Sequence, residues 1–195
     1  MASLREELNL GGQWLLATDP EDRGVRDRWF ESFPSGEAQP VNVPAVWDLW
    51  IPDYDGVGWY RYAFDLEASW LDSHLELRFE GVNYYAEAWL NGHALGAHEG
   101  GYTPFVFDLD GKARAGQNEL VVRVIDPKGP DGFDVFIPEE LPIAKETGYW
   151  SFGGIWGGVR IEDMAHARIT DVFVQPDLRR KRLVVDTAVE HLPEG

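Results

Sequence analysis

Residues 74–92 read HLELRFEGVNYYAEAWLNG. In 74–80 the apolar Leu75, Leu77 and Phe79 alternate with Glu76, Arg78 and Glu80. That period of two belongs to a strand with one face buried and one in water. Residues 84–90, YYAEAWL, run directly into Asn91-Gly92. A type I′ turn needs φ > 0 at both central positions, and Asn-Gly is the pair that tolerates this best. The stretch therefore predicts two strands, the second turning back as a hairpin into residues 93 onward.

The same pattern extends outward. Residues 59–66, WYRYAFDL, put Tyr60, Tyr62, Phe64 and Leu66 on one face and Arg61 and Asp65 on the other. PFVFDL (104–109) and ELVVRVI (119–125) continue it, and KARAGQN (112–118) ends in a Gly-Gln-Asn turn. No stretch sustains a 3.6-residue apolar period, and the best helical candidate is one short turn at 67–72. Many short strands punctuated by Gly and Pro predict an all-β sandwich or barrel. Two long connections, 34–58 and 126–154, carry paired aromatics and acids, and loops of that length in a compact domain are usually functional.

Near Met164-Ala165-His166 the character changes. RITDVFVQPDL (168–178) and RLVVDTAVEHL (182–192) read as two further strands with a Pro-Asp turn between them. Two strands cannot bury a core alone. The expected organisation is thus one β-domain over 1–165, with 166–195 the first strands of a second.

Composition narrows the function. Hydrophobic residues are 44% of 195, so the chain folds. Aromatics are 13%, including 9 Trp, and such rings either fill a core or offer flat stacking faces. With 17 basic and 34 acidic residues the net charge is -17, which opposes nucleic acid and anionic membrane surfaces but not a neutral ligand such as a sugar. No cysteine is present, which excludes disulfides and thiolate metal sites and favours a cytoplasmic home. MASLREELNL lacks the basic-then-apolar order of a signal peptide. A longer precursor would leave secretion open. No apolar run is long enough to span a membrane.

Candidate sites divide into sharp and plain readings. His93, His98 and Glu99 invite a metal, but ligands on one strand face need even spacing and the histidines are five apart. Exposed polar positions, and no metal or cofactor, are the expectation. Glu139-Glu140 could be read as a glycosidase dyad, but neighbours in sequence normally diverge and both lie in a proline-flanked loop, so a solvated loop is the expectation. Trp50, Tyr54, Tyr149 and Trp150 can stack on a sugar, or can plug the sandwich ends. Trp14, Trp47, Trp59, Trp89 and Trp156 read as core or interface. The pairs Gly153-Gly154 and Gly157-Gly158 are not spaced as a phosphate loop.

Six motifs, in order, resemble the N-terminal sugar-binding domain of glycoside hydrolase family 2. They are LGGQWLLATDP (10–20), VNVPAVWD (41–48), GWYRYAF (58–64), LRFEGVNYYAEAWLNGHALGAHEGGYTPFVFDL (77–109), GQNELVVRV (116–124) and GGIWGGVRIE (153–162). The resemblance spans residues 10–164. It implies a jelly-roll antiparallel β-sandwich, galactose-binding-domain-like, followed by an immunoglobulin-like domain that RITDVFVQPDL opens. It also implies a parent that is a retaining β-glycosidase, with both catalytic glutamates on a (β/α)₈ barrel too large to fit in the residues beyond Met164. The partners implied are carbohydrate and that barrel, which is missing here. From the loop after the Val-Pro-x-x-Trp motif, the resemblance makes Asp48, Trp50, Tyr54 and Asp55 contact candidates. A second loop carries an acid in many members where this chain has Gly148, so either Glu146 or Thr147 substitutes beside Tyr149 and Trp150, or the contact is absent. Two other readings stand beside a carbohydrate-positioning domain: a free-standing carbohydrate-binding module, and a structural brace that pairs into a homo-oligomer.

Overall fold

The computed structural model describes residues 6–126, 152–164 and 168–190. Twelve strands make up its regular structure: β1 Glu7–Asn9, β2 Gly12–Thr18, β3 Gln39–Val43, β4 Gly56–Leu66, β5 His74–Phe79, β6 Tyr85–Leu90, β7 His93–Glu99, β8 Phe105–Asp108, β9 Gly116–Asp126, β10 Val159–Met164, β11 Arg168–Asp177 and β12 Arg182–Glu190. Every strand pairing is antiparallel. A six-stranded sheet, ordered β3-β2-β4-β9-β6-β7, faces a four-stranded sheet ordered β1-β10-β5-β8. The predicted turn of helix appears as a 3₁₀ turn at Ala68–Asp72.

The alternation read from sequence is the alternation of the core. Leu75, Leu77 and Phe79 from one sheet meet Tyr60, Phe64, Leu66, Leu120, Val122 and Val124 from the other. Each such buried side chain contributes roughly 1.5–3 kcal/mol over its exposed state. Asn91 (φ 52°) and Gly92 (φ 80°) form the predicted turn between β6 and β7.

The six-stranded sheet is apolar on its outer face too. Trp59, Trp89, Val121 and Ile125 form a second cluster there with Trp29, and Phe30 and Phe33 pack against it. Phe30 stacks on Trp89 at 5.1 Å, and Trp89 on Trp59 at 5.4 Å. Asp19, 1% exposed, ties the 20–38 segment down: its carboxylate accepts from the Arg23 and Gly24 backbone N–H groups and from Trp59 Nε1.

Three sequence expectations are corrected. The connection at 34–58 is interrupted by β3, whose QPVNV pairs with β2. Gly116-Gln117-Asn118 is not a turn but the start of β9; the turn lies earlier and is closed by the Asn118 side chain, which bonds the Arg114 N–H and carbonyl. His93 and His98 lie opposite Leu90 and Ala86, which share a face of β6, because Leu95 is an extra residue in β7. They still stand some 13 Å apart at about 3.3 Å per residue. His98 is no surface ornament: it stacks on Phe105 at 4.1 Å, and burial holds its pKa below the ordinary histidine value.

The strands β11 and β12 form a sheet of their own, paired only with each other among the described residues.

Candidate functional site

The loop from β3 to β4 hangs on Trp47. A short 3₁₀ turn, Trp47–Leu49, brings this indole inward until it is 0% exposed. Its backbone N–H donates to the Gly153 carbonyl (2.9 Å) and its Nε1–H to the Tyr54 carbonyl (3.0 Å). Ala45 N–H reaches Ile155 O at 2.9 Å, so the loop is laced to 153–155 on one side. Glycines make this possible. A Cβ on Gly58 would stand 2.5 Å from Trp47 Cζ3, and one on Gly153 would stand 2.7 Å from Nε1 and closer still to the six-membered ring. The two glycines thus make room for the indole, Gly58 beside Cζ3 and Cε3 and Gly153 beside Cζ2 and Cε2, which explains why GWYRYAF and FGGIW carry glycine where they do.

Each loop candidate then has a place. Tyr54 packs edge-on to Trp47 at 5.6 Å, and its hydroxyl donates to Val57 O at 2.8 Å. Burial pushes that phenol up to about 12. The Tyr54 hydroxyl is therefore spent inside the protein, and the ring supports the loop. Trp50 is half-buried against the core, which matches the end-plugging reading for part of its surface. Asp55 is half-buried at the foot of β4, and Leu49 is 70% exposed at the tip. Asp48 differs from all of these: its Oδ2 is buried without a hydrogen-bond partner. The hydroxyl of Tyr60 is buried beside the Ile155 backbone, and burial, with the Asp48 charge adding to it, drives its pKa well upward. The structure brings Asp48, Trp50, Tyr54 and Asp55 together on one loop. Glu146, Thr147, Tyr149 and Trp150 lie outside the described residues, as does the Glu139-Glu140 pair.

Residues 152–157 brace a second loop on the opposite side. Asn83 and Gly154 exchange backbone hydrogen bonds (3.0 and 3.1 Å), and the Asn83 amide donates to the Phe152 carbonyl. Trp156 Nε1 donates to Gly101 O at 2.9 Å. Its ring lies 5.9 Å from Tyr102, which is 69% exposed, and 6.4 Å from Phe152. Nothing in the sequence marks Asn83 as this junction.

A third grouping, also invisible in the sequence, joins His74, Asp108 and Asp110. His74 Nδ1 lies 2.6 Å from Asp110 Oδ2 and Nε2 lies 3.3 Å from Glu76 Oε1. Both ring nitrogens are thus engaged by carboxylates, and the imidazole ties the start of β5 to the β8–β9 turn.

Chemically, the β3–β4 loop offers carboxylate acceptors and an indole edge on a rigid frame, which suits hydroxyl-rich ligands.

Comparison with known proteins agrees with this frame. The chain matches the description "Glycosyl hydrolases family 2, sugar binding domain" over residues 7–163. A β-glucuronidase of Paenibacillus borealis is 26% identical over 208 residues, spanning 98% of this chain and 35% of that protein. A β-galactosidase of Thermoanaerobacter pseudethanolicus is 30% identical over 182 residues, 89% of this chain and 23% of that one. Among solved structures, a β-glucuronidase from an uncultured Clostridium superposes with a TM-score of 0.77 at 27% identity, over 97% of this chain and 34% of the other. The Ruminococcus gnavus β-glucuronidase in complex with D-glucuronic acid gives 0.75 at 22% identity, over 97% of this chain and 35% of the other, a likeness of fold. The chain spans about a third or less of the length of these relatives. An antiparallel sandwich built on the six ordered motifs, and matched from Glu7 to Asp163, places this chain in glycosyl hydrolase family 2, of which it carries the sugar-binding domain.

Proposed function

We propose that this chain positions carbohydrate for a retaining β-glycosidase whose catalytic barrel lies outside these residues, and does not itself cleave it. Asp48, Trp50 and Asp55 make the contact; Trp47 and Tyr54 hold the loop that carries them. Glu146, Thr147, Tyr149 and Trp150 stay contact candidates on the family resemblance alone, and residues 166–195 open the next β-domain. The carrying observation is the anchored β3–β4 loop: Trp47, bonded to Tyr54 O and Gly153 O, fixes Asp48, Trp50 and Asp55 on a half-exposed surface where a ligand can meet them.

Charge favours one sugar class at this loop. Residues 44–57, PAVWDLWIPDYDGV, hold three aspartates and no lysine or arginine. Carboxylates accept from neutral hydroxyls and repel a uronate. The loop thus suits a galactoside of the kind named for the Thermoanaerobacter relative better than a glucuronide.

One loop is only part of a site, so millimolar affinity, about 4 kcal/mol, is the scale to expect. Titrating the chain with methyl β-D-galactoside should give saturable tryptophan quenching, weaker with methyl β-D-glucuronide and lost in Trp50→Ala. No saturable response to either sugar would sink the reading. Turnover of aryl glycosides by the pure 195-residue chain would sink its non-catalytic half.

A further inference from the structure

The β6–β7 turn is tied down by its first residue. Asn91 Nδ2 donates to Lys112 O at 3.0 Å and to Asn118 Oδ1 at 2.8 Å, and Asn91 Oδ1 accepts from the Glu119 N–H at 3.0 Å. Its backbone N–H donates to Glu119 O at 2.8 Å. Asn118 is itself fully buried and closes the preceding turn, its Nδ2 donating to Arg114 O and Gly116 O. One carboxamide thus knots the hairpin to the β8–β9 connection and to the start of β9. On its other side the turn meets the 20–38 segment, where a Cβ on Gly92 would stand 3.4 Å from Glu31 Cγ.

The residue that follows gives this knot a chemistry. Asn-Gly is the dipeptide most open to deamidation, because glycine puts no side chain in the way of its own nitrogen. The Gly92 nitrogen, deprotonated by hydroxide, attacks Asn91 Cγ. A C–N bond forms, the bond from Cγ to Nδ2 breaks, and ammonia leaves with a proton from water, which restores the hydroxide. Water then opens the succinimide at either carbonyl, giving aspartate or isoaspartate. Ring closure requires the Asn91 side chain to swing over the Gly92 peptide, and both of its polar atoms are held elsewhere.

We propose that Asn91 is a latent modification site, silent in the folded sandwich and deamidated once this knot opens. The step works as a ratchet, because the product cannot retie the knot. A carboxylate donates nothing to Lys112 O or Asn118 Oδ1, and it sets a negative charge against that Asn118 oxygen. An isoaspartyl link also lengthens the main chain of a two-residue turn, whose geometry sets the β6–β7 register. Asn91 follows Leu90, which pairs with Leu120 of β9, whereas the β3–β4 loop meets β9 at Asp126, some 20 Å away at about 3.3 Å per residue. The modification therefore acts on the lifetime of the fold and leaves the candidate sugar contacts alone.

Incubating the full chain in mildly alkaline buffer, with peptide mapping by mass spectrometry and isoaspartyl methylation as readouts, tests this against the synthetic peptide AWLNGHAL, residues 88–95. The expected result is a folded chain on the order of a hundredfold slower than the peptide, the factor that three net hydrogen bonds supply together, and a chain in strong denaturant that matches the peptide. Asn91→Asp makes the product directly and should lower the urea midpoint, read by tryptophan emission. Deamidation of the folded chain less than about tenfold slower than the peptide overturns the proposal, since the bonds then give no protection. An Asn91→Asp chain with the parent's urea midpoint overturns it as well, since the product would then retie the knot.

Discussion

The tightest joint in the molecule is the slot that holds Trp47, and replacing Gly153 by Ala puts a methyl group into it. Gly153 has an ordinary φ, so the backbone accepts alanine and alone would gain about 0.4–1 kcal/mol from the stiffer unfolded chain. The side chain is another matter. The new Cβ would stand 2.7 Å from Trp47 Nε1 and nearer to its ring carbons, where ordinary contact needs 3.4 Å or more. The indole is fully buried and has little room to retreat, because Gly58 crowds Cζ3 closely enough that a Cβ there would stand at 2.5 Å. Overpacking of this sort costs about 1–3 kcal/mol. Displacing the ring also breaks the Nε1 bond to Tyr54 O, worth about 1 kcal/mol. A net loss of about 2 kcal/mol follows, a large share of a typical 5–15 kcal/mol. Urea unfolding followed by tryptophan emission measures it, as a lower midpoint at unchanged slope. The decisive arm is Trp47→Phe in the Gly153→Ala background. The smaller ring leaves room for the methyl group, so the two changes should couple favourably by about 1.5 kcal/mol, well beyond the ~0.5 kcal/mol scatter of independent sites. A Gly153→Ala chain as stable as the parent to within about 1 kcal/mol, or additive costs in the double variant, would refute the slot.

Other residues give equally definite expectations. Asp48→Asn keeps the size of the side chain and removes its charge, so the urea midpoint should hold while galactoside quenching weakens; loss of both together would mean that Asp48 is structural only. Asp19→Ala removes three hydrogen bonds and strands the Trp59 and Gly24 N–H groups, costing about 3–5 kcal/mol, with amide exchange across 20–38 rising first. Alkaline titration tests Tyr54. Its phenol is raised from 10 to about 12 in the folded state, so its contribution to stability is complete below pH 10 and is lost as the pH climbs toward 12. Tyr54→Phe cannot ionise, so its stability should decline less across that interval in pH-dependent urea melts.

The sandwich was legible because its signals are local. Alternation over 59–66 and 74–80 and the Asn91-Gly92 pair need no knowledge of what lies across the sheet, and the structure makes strands of the first two and a hairpin of the third. Where a partner decides the outcome, reading along the chain failed. QPVNV is too short and too proline-marked to announce β3, and becomes a strand only because Trp14 and its neighbours present an edge. A single extra residue at Leu95 has no signature of its own, yet it turns His98 onto Phe105. Asn83 reads as an ordinary polar residue after Gly81-Val82, but Gly154 and Phe152, some seventy positions on, make it a junction. The loop candidates came from likeness to a family. The structure separates them by what each has already spent: the Tyr54 hydroxyl on Val57, the Trp47 indole on Tyr54, and the Asp48 Oδ2 on nothing.

That separation bears on how such a loop could work. A loop that folds only around its ligand charges the ordering entropy to binding, roughly 0.5–1.5 kcal/mol for each side chain fixed. Here the ordering is complete before any ligand arrives. The β3–β4 loop is held at Ala45 and Trp47 by the 153–155 backbone, at its middle by Trp50 and Ile51 N–H bonds to Trp47 O, and at its exit by Tyr54 on Val57. Its residues cannot close like a lid without pulling Trp47 out of the core. What such a loop can do is hold its acceptors at fixed positions, which is what the proposed positioning role requires of it. If the loop positions carbohydrate as proposed, Gly58 and Gly153, which make room for the Trp47 anchor, matter to its shape as Asp48 matters to its chemistry.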